Sequence, residues 1–213
     1  MSRKLLVWLH VITSTGWMCM ALALFVVVTH ALGVTGPART ATFDVAVLID
    51  TDVLQFMATT SAFTGLVLSG LTPWGYFRHW WVAAKFVITF SQLSVGIFVL
   101  SPQLHQDGSS VLMRVGSLLM AGALAGQVWL SVAKPFKRTP WARPGKPPTA
   151  PGWAFMACVA VPAVDYLVGE FLFGQNIPLL SMVIVVVHPV VRAVSRRRQA
   201  SIRAARAPAG GGR

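Results

Sequence analysis

Five side chains that can gain or lose a proton lie inside long apolar stretches of this 213-residue sequence. They are His10, Lys85, Asp165, Glu170 and His188. An ionisable group in an apolar span costs on the order of a few kcal/mol, so it needs a partner or a function. Histidine nitrogen binds metals and heme iron, and lysine binds anions. The sequence therefore offers candidates for cofactor binding and for proton or ion transfer.

Three of these side chains stand at similar distances from the ends of their apolar runs. At about 1.5 Å per residue, His10 and Lys85 each lie roughly 8–9 Å from the run's end, and His188 lies at a similar depth. His79 and Arg78 stand at the rim of the run that contains Lys85. We expect His10, Lys85 and His188 to converge on one pocket with His79 at its rim. His10 is the candidate metal ligand of this pocket, and Arg78 is a further candidate for cofactor binding.

The residues that follow Lys85 indicate which way it points. Thr89, Gln92 and Gly96 come four, seven and eleven residues later, which places all four on one helix face. A stripe that faces lipid should be apolar, so we expect Lys85 to point into a helix bundle. Two alternatives remain open: Lys85 extends to the membrane surface along its flexible stem, and His10 is a structural histidine bonded to a serine or a carbonyl.

Asp165 is the deepest acid, because it falls near the middle of the apolar run over 153–173. A carboxylate at that depth is protonated, hydrogen-bonded or part of a proton or ion path. We therefore include Asp165 as a path candidate, separate from the histidine and lysine pocket.

The elements that position these residues are transmembrane helices. Only 11% of the residues are charged and the mean hydropathy is +0.65, as in membrane proteins. A spanning helix needs about 20 apolar residues. Four runs qualify clearly, and two are weaker; in chain order they are 5–30, 53–71, 80–100, 111–133, 153–173 and 177–191. The fold class is therefore an all-α polytopic transmembrane bundle.

Lysine and arginine positions predict the orientation. They concentrate before the first run, between runs two and three, after run four and after residue 191, which by the positive-inside rule places both termini in the cytoplasm. Six crossings satisfy this pattern, as do four spans with a re-entrant C-terminal hairpin. We expect a bundle over 1–133, a basic loop over 134–150, a membrane hairpin over 151–191 and a disordered basic tail over 192–213.

The net charge of +12 does not indicate nucleic acid, because the basic residues flank the spans and face anionic lipid. We expect membrane lipids as partners, with membrane-protein partners or a homo-oligomer as further candidates. No phosphate loop, nucleophile elbow, zinc-protease motif or dinucleotide fingerprint occurs. The composition thus favours a multi-pass membrane protein and leaves its activity open.

Three segments carry a resemblance to known proteins: "KLLVWLHVITSTGWMCMA", "FTGLVLSGLTPWGYFRHWWVAAKFVIT" and "WLSVAKPFKRTPW". Over about residues 1–142 the chain resembles a family of bacterial integral-membrane proteins grouped as a domain of unknown function, which implies a location in the bacterial inner membrane. The first-helix histidine and third-helix lysine are also remotely similar to the copper-resistance D domain and to HemJ-type membrane enzymes. The HemJ resemblance implies heme b, with roles for His10 and Lys85.

Three functions are consistent with these patterns. The first is a heme-binding or porphyrin-handling redox protein, with His10 as axial ligand, His79 or His188 as second ligand, and Lys85 and Arg78 on the propionates. The second is a transporter or transport accessory for copper or a small solute, with Asp165 on the path. The third is a non-catalytic subunit or scaffold of a membrane complex.

Overall fold

A computed structural model describes residues 1–106, 111–140, 142, 149–174, 178–185, 187, 188 and 191. The predicted basic tail over 192–213, residues 143–148 of the basic loop, and residues 175–177 of the hairpin turn lie outside these ranges. The described chain is an all-α bundle, as the sequence predicts.

Five helices are long and apolar enough to cross a membrane, which makes the chain a multi-pass membrane protein. They are α1 (Ser2–Gly33), α2 (Gly36–Leu71), α3 (Trp80–Leu104), α4 (Val111–Ala133) and α5 (Gly152–Phe173). The predicted second run began at residue 53, whereas α2 begins at Gly36 because Gly36, at a φ of 60°, and the proline after it start a helix directly. The sixth predicted run, 177–191, lies partly outside the described residues. Within its described part, residues 179–185 are helical.

Three of the long helices contain π-helical turns within their described residues. Ile49–Leu54 interrupts α2 and Gly96–Leu100 interrupts α3, at the same end of the bundle, whereas Gly169–Phe173 forms the last turn of α5. A π-turn inserts a residue into the α-helical repeat and often marks a functional site. Both interruptions lie beside one cavity, which is described below.

The packing places α1 at the centre of the described contacts. α1 packs against α2, α4 and α5, and α3 packs against α2 and α4. Because α2 and α4 each contact both α1 and α3, the latter two helices face each other across the bundle. The buried core includes Trp17, Phe63 and Met113, whereas large apolar side chains such as Phe98 and Phe171 face outward, where lipid would cover them.

The segments predicted to be cytoplasmic meet at one end of the bundle. Thr139 donates its amide to the Arg78 carbonyl at 3.0 Å, and Ala150 donates to the Leu71 carbonyl at 2.9 Å. A Cβ added to Gly152 would lie 3.1 Å from Ser2 Oγ, so the N-terminus is at this end too. We call it the near end, and the opposite end, which carries the π-helical turns of α2 and α3, the far end. That the near end faces the cytoplasm stays a prediction.

Candidate functional site

His10 lies in a polar cluster between α1 and α2. Its Nδ1 is 3.1 Å from the Ser61 carbonyl oxygen and 3.1 Å from Thr64 Oγ1. Ser14 Oγ, one turn further along α1, is 2.7 Å from Ser61 Oγ. Since a carbonyl oxygen only accepts, the neutral ring carries its proton on Nδ1 and its lone pair on Nε2. Nε2 has no hydrogen-bond partner among the residues that the structure describes.

Gly65 makes room for the His10 ring. A Cβ at this position would lie 2.8 Å from His10 Cε1, closer than real side chains approach. The absence of a side chain on α2 therefore allows α1 to bring the imidazole into the helix interface. The small residues that the sequence places along α2 thus serve a particular side chain as well as close helix packing.

Lys85 points into the bundle, as the polar stripe predicts. Its Nζ donates to Ser131 Oγ on α4 at 2.8 Å. Thr89 Oγ1 donates to Gln127 Oε1 at 3.0 Å, and Gln127 Nε2 donates to Gln92 Oε1 at 2.7 Å. Gln92 Nε2 in turn donates to the Met120 carbonyl at 2.8 Å. These bonds form a ladder between α3 and α4, which we call the polar ladder.

His10 and Lys85 lie on α1 and α3, the two helices that face each other across the bundle. Each is held to a different neighbour, His10 to α2 and Lys85 to α4. An amine and an imidazole lone pair thus lie on facing helices inside the near half of the bundle.

Arg78 contributes a second cationic group at the near end. Its Nη2 is buried and has no hydrogen-bond partner among the described residues. A buried guanidinium nitrogen without an acceptor costs on the order of a few kcal/mol, which an anionic group would offset. This orphan donor supports the predicted anion-binding role of Arg78.

His79 and His188 have other partners than the His10 cluster. The His79 ring packs edge-on against Trp74, with centroids 5.4 Å apart. His188 Nδ1 pairs with the Tyr76 hydroxyl and packs beside Gly70. Gly70 is five residues, or about 7.5 Å, along α2 from Gly65. The expected four-residue pocket therefore reduces to His10 and Lys85, with Arg78 at the near end.

Asp165 has a structural role in the C-terminal region. Its carboxylate accepts the backbone amides of Leu180 at 2.7 Å and Ser181 at 2.8 Å, at the start of the helical segment over 179–185. A carboxylate is a favourable N-terminal cap, because it satisfies amides that have no partner within the helix. Glu170, in contrast, is exposed. A path role for Asp165 stays a prediction, beside this sufficient structural explanation.

No group of three His, Cys, Asp or Glu side chains in the described part of the chain is arranged to hold a metal ion. His10 is thus a single candidate ligand. Sequence reasoning did not identify its partners Ser61 and Thr64, because nothing in the pattern of α2 shows which small polar residues meet the histidine.

Comparisons with protein-family models, with curated proteins and with solved structures find no match to this chain. The resemblance to copper-resistance D and HemJ-type proteins is therefore carried by the residues quoted above alone, and it stays a prediction.

Proposed function

We propose that this protein binds heme b or a related porphyrin in the near half of the bundle, with His10 as the iron ligand. The observation that carries the proposal is the His10 geometry: Nδ1 donates to the Ser61 carbonyl, and Nε2 keeps its lone pair. Histidines that bind metal commonly have this second hydrogen bond, which fixes the ring and its tautomer.

The donor set fits a heme with one protein ligand. His10 Nε2 would bind the iron, and the cations Arg78 and Lys85 would hold propionate carboxylates. The orphan Nη2 of Arg78 is the independent sign that an anion belongs at the near end. His79 and His188 are engaged with Trp74 and Tyr76, so neither supplies a second ligand in this arrangement. Heme, when bound, would supply one-electron redox chemistry.

The chain's own contribution is to orient the ligand and to exclude water. Ser61 and Thr64 hold the ring of His10, and both are buried. By accepting the hydrogen bond from Nδ1, they make the imidazole a stronger metal ligand and set the direction of Nε2. Lys85, on the facing helix, would supply a positive charge that favours the reduced, less positive state of a bound iron centre.

Heme titration of the full-length protein in detergent tests the proposal. We expect a Soret band that saturates at one heme per chain and that His10→Ala abolishes. His30→Ala is the matched control, because His30 lies on the same helix at the far end and is exposed. Absence of heme uptake, or an equal band in His10→Ala, would contradict the proposal.

A second candidate is proton-coupled transport of a small solute, which the polar ladder favours. The ladder extends about 10 Å along α3 from Lys85 to Gln92, with each link completed by α4. Hydrogen-bonded side chains in a membrane interior are typical of ion and proton paths. In vesicles loaded with a pH-sensitive dye, this candidate predicts proton flux that Gln92→Leu reduces; equal flux in the variant and in empty vesicles would eliminate it.

A further inference from the structure

A cavity of about 130 Å³ lies in the far half of the bundle, apart from His10 and Lys85. We call it the far cavity. All four helices α1 to α4 contribute to it, and its polar lining residues include Trp17, Asp50, Gln92, Ser101 and Ser117. Apolar side chains such as Leu93, Met113 and Met120 line the rest. A mostly apolar cavity with a few polar groups is typical of a small-molecule site.

The clearest sign of a ligand is Trp17. Its side chain is 1% exposed, and its Nε1 has no hydrogen-bond acceptor within the described parts of the chain. Buried tryptophan N–H groups usually find a partner, because an unmade bond costs roughly 1–3 kcal/mol. A ligand that carries an oxygen acceptor would satisfy this donor.

The backbone gives a second, independent sign. Two of the three π-helical turns in the described chain, Ile49–Leu54 in α2 and Gly96–Leu100 in α3, contribute lining residues to the far cavity. Each interrupts the hydrogen-bond ladder of its own helix, and such interruptions concentrate at functional sites. Their position on neighbouring helices around one cavity is consistent with a shaped site.

The polar groups indicate the chemistry of the ligand. Trp17 offers a hydrogen-bond donor, whereas the Asp50 carboxylate, which also accepts from Ser101 Oγ at 2.7 Å, is an acceptor. Apolar and thioether side chains line the rest of the cavity, and they pack well on an aromatic ring. The volume is close to that of a cavity of about 150 Å³ that holds one benzene ring. These features suit a single ring that carries one oxygen to accept a hydrogen bond and one hydroxyl to donate one.

We propose that the far cavity binds a lipid-soluble hydroxylated ring of the quinol class, with one oxygen on Trp17 Nε1 and a hydroxyl donated to Asp50. This proposal is independent of heme, since none of its residues belongs to the His10 cluster. Membrane-soluble ligands of this kind reach an intramembrane cavity from the bilayer. The tail of such a molecule would remain in lipid, and only the ring would enter the bundle.

Equilibrium binding of a short-tailed benzoquinol to the full-length protein in lipid nanodiscs tests the proposal, with empty nanodiscs subtracted. We expect saturable binding that Trp17→Phe weakens about 3–10-fold, the effect of losing one hydrogen bond. Trp8→Phe is the matched control, because Trp8 lies on the same helix and is 58% exposed. Ala58→Leu, which adds volume to the cavity lining, should abolish binding while the protein stays folded.

Three results would overturn the proposal. The first is non-saturable uptake of the benzoquinol, which would mean that the cavity holds water. The second is an affinity in Trp17→Phe equal to that of the unsubstituted protein, and the third is full binding in Ala58→Leu. Binding of benzylammonium that Asp50→Asn abolishes and Trp17→Phe leaves unchanged would instead assign the site to cations. Measuring benzoquinol binding in His10→Ala separates this proposal from the heme proposal, because we expect that variant to retain it.

Discussion

The two halves of the bundle solve the problem of buried polar groups in different ways. In the near half, His10 and Lys85 have partners on neighbouring helices, Ser61 and Ser131, at ordinary hydrogen-bond distances. In the far half, Trp17 Nε1 has no acceptor in the described chain, and two helices deviate into π-turns around a cavity. The near half thus contains a pre-organised cluster of side chains, whereas the far half contains a cavity whose buried donor would be satisfied by a ligand.

This difference teaches that ionisable residues are an incomplete guide to sites in membrane proteins. The deepest acid, Asp165, caps a helix, whereas a tryptophan that cannot ionise leaves the clearest orphan donor. An unpartnered atom therefore identifies a candidate site better than the presence of charge does. Both Asp165 oxygens have partners, whereas Trp17 Nε1 and His10 Nε2 have none among the described residues and are the atoms that a ligand would engage.

The largest effect is expected for Asp165→Ala. The substitution leaves the Leu180 and Ser181 amides without an acceptor in a buried place, and loss of a cap costs about 2 kcal/mol. Hydrogen exchange over 179–185 should rise strongly, whereas Glu170→Gln, at an exposed position, should leave it unchanged. Normal protection in Asp165→Ala would refute the capping role and restore the path hypothesis.

A smaller effect, about 1–2 kcal/mol, is expected for Gly65→Ala. The added Cβ would meet His10 Cε1 at 2.8 Å and move the ring from the Ser61 carbonyl. Gly122→Ala is the control, because a Cβ there meets nothing within 4 Å. We expect a lower midpoint of thermal unfolding and weaker heme binding for Gly65→Ala only. Equal behaviour of the two variants would show that the near half is less tightly packed than described.

The smallest effect concerns the polar ladder. Gln92→Leu and Gln127→Leu each break the bond of 2.7 Å between the two amides. A double-mutant cycle on unfolding should give a coupling of about 0.6 kcal/mol, the mean for hydrogen bonds between membrane helices. Additive effects would mean that the amides act independently and that no ladder connects them.

Much of the near half could be predicted from the sequence, and little of the far half. The 3.6-residue repeat correctly placed Lys85, Thr89 and Gln92 on an inward face, because the local geometry of one helix determines which residues share a face. The pairing of His188 with Tyr76 depends on the loop between α2 and α3, which no periodicity encodes. The far cavity was missed since a π-turn adds a residue and breaks the repeat from which faces are predicted.

The positions of the basic residues in the sequence predicted that the basic segments meet at one end of the bundle. The orientation of that end and the sixth crossing stay predictions. An alternation of basic and acidic flanks fixes which loops share a side of the membrane. It does not fix which helices touch, and the position of α1 against both α2 and α4 follows from side-chain packing alone.

Imidazole rescue tests the central claim, that His10 is the heme ligand, most directly. His10→Gly removes the ligand and leaves space beside Gly65 for free imidazole. We predict that His10→Gly lacks the Soret band after heme titration and that imidazole restores it in a saturable manner, while His30→Gly needs no imidazole. A Soret band in His10→Gly that is as strong without imidazole as with it would contradict the account.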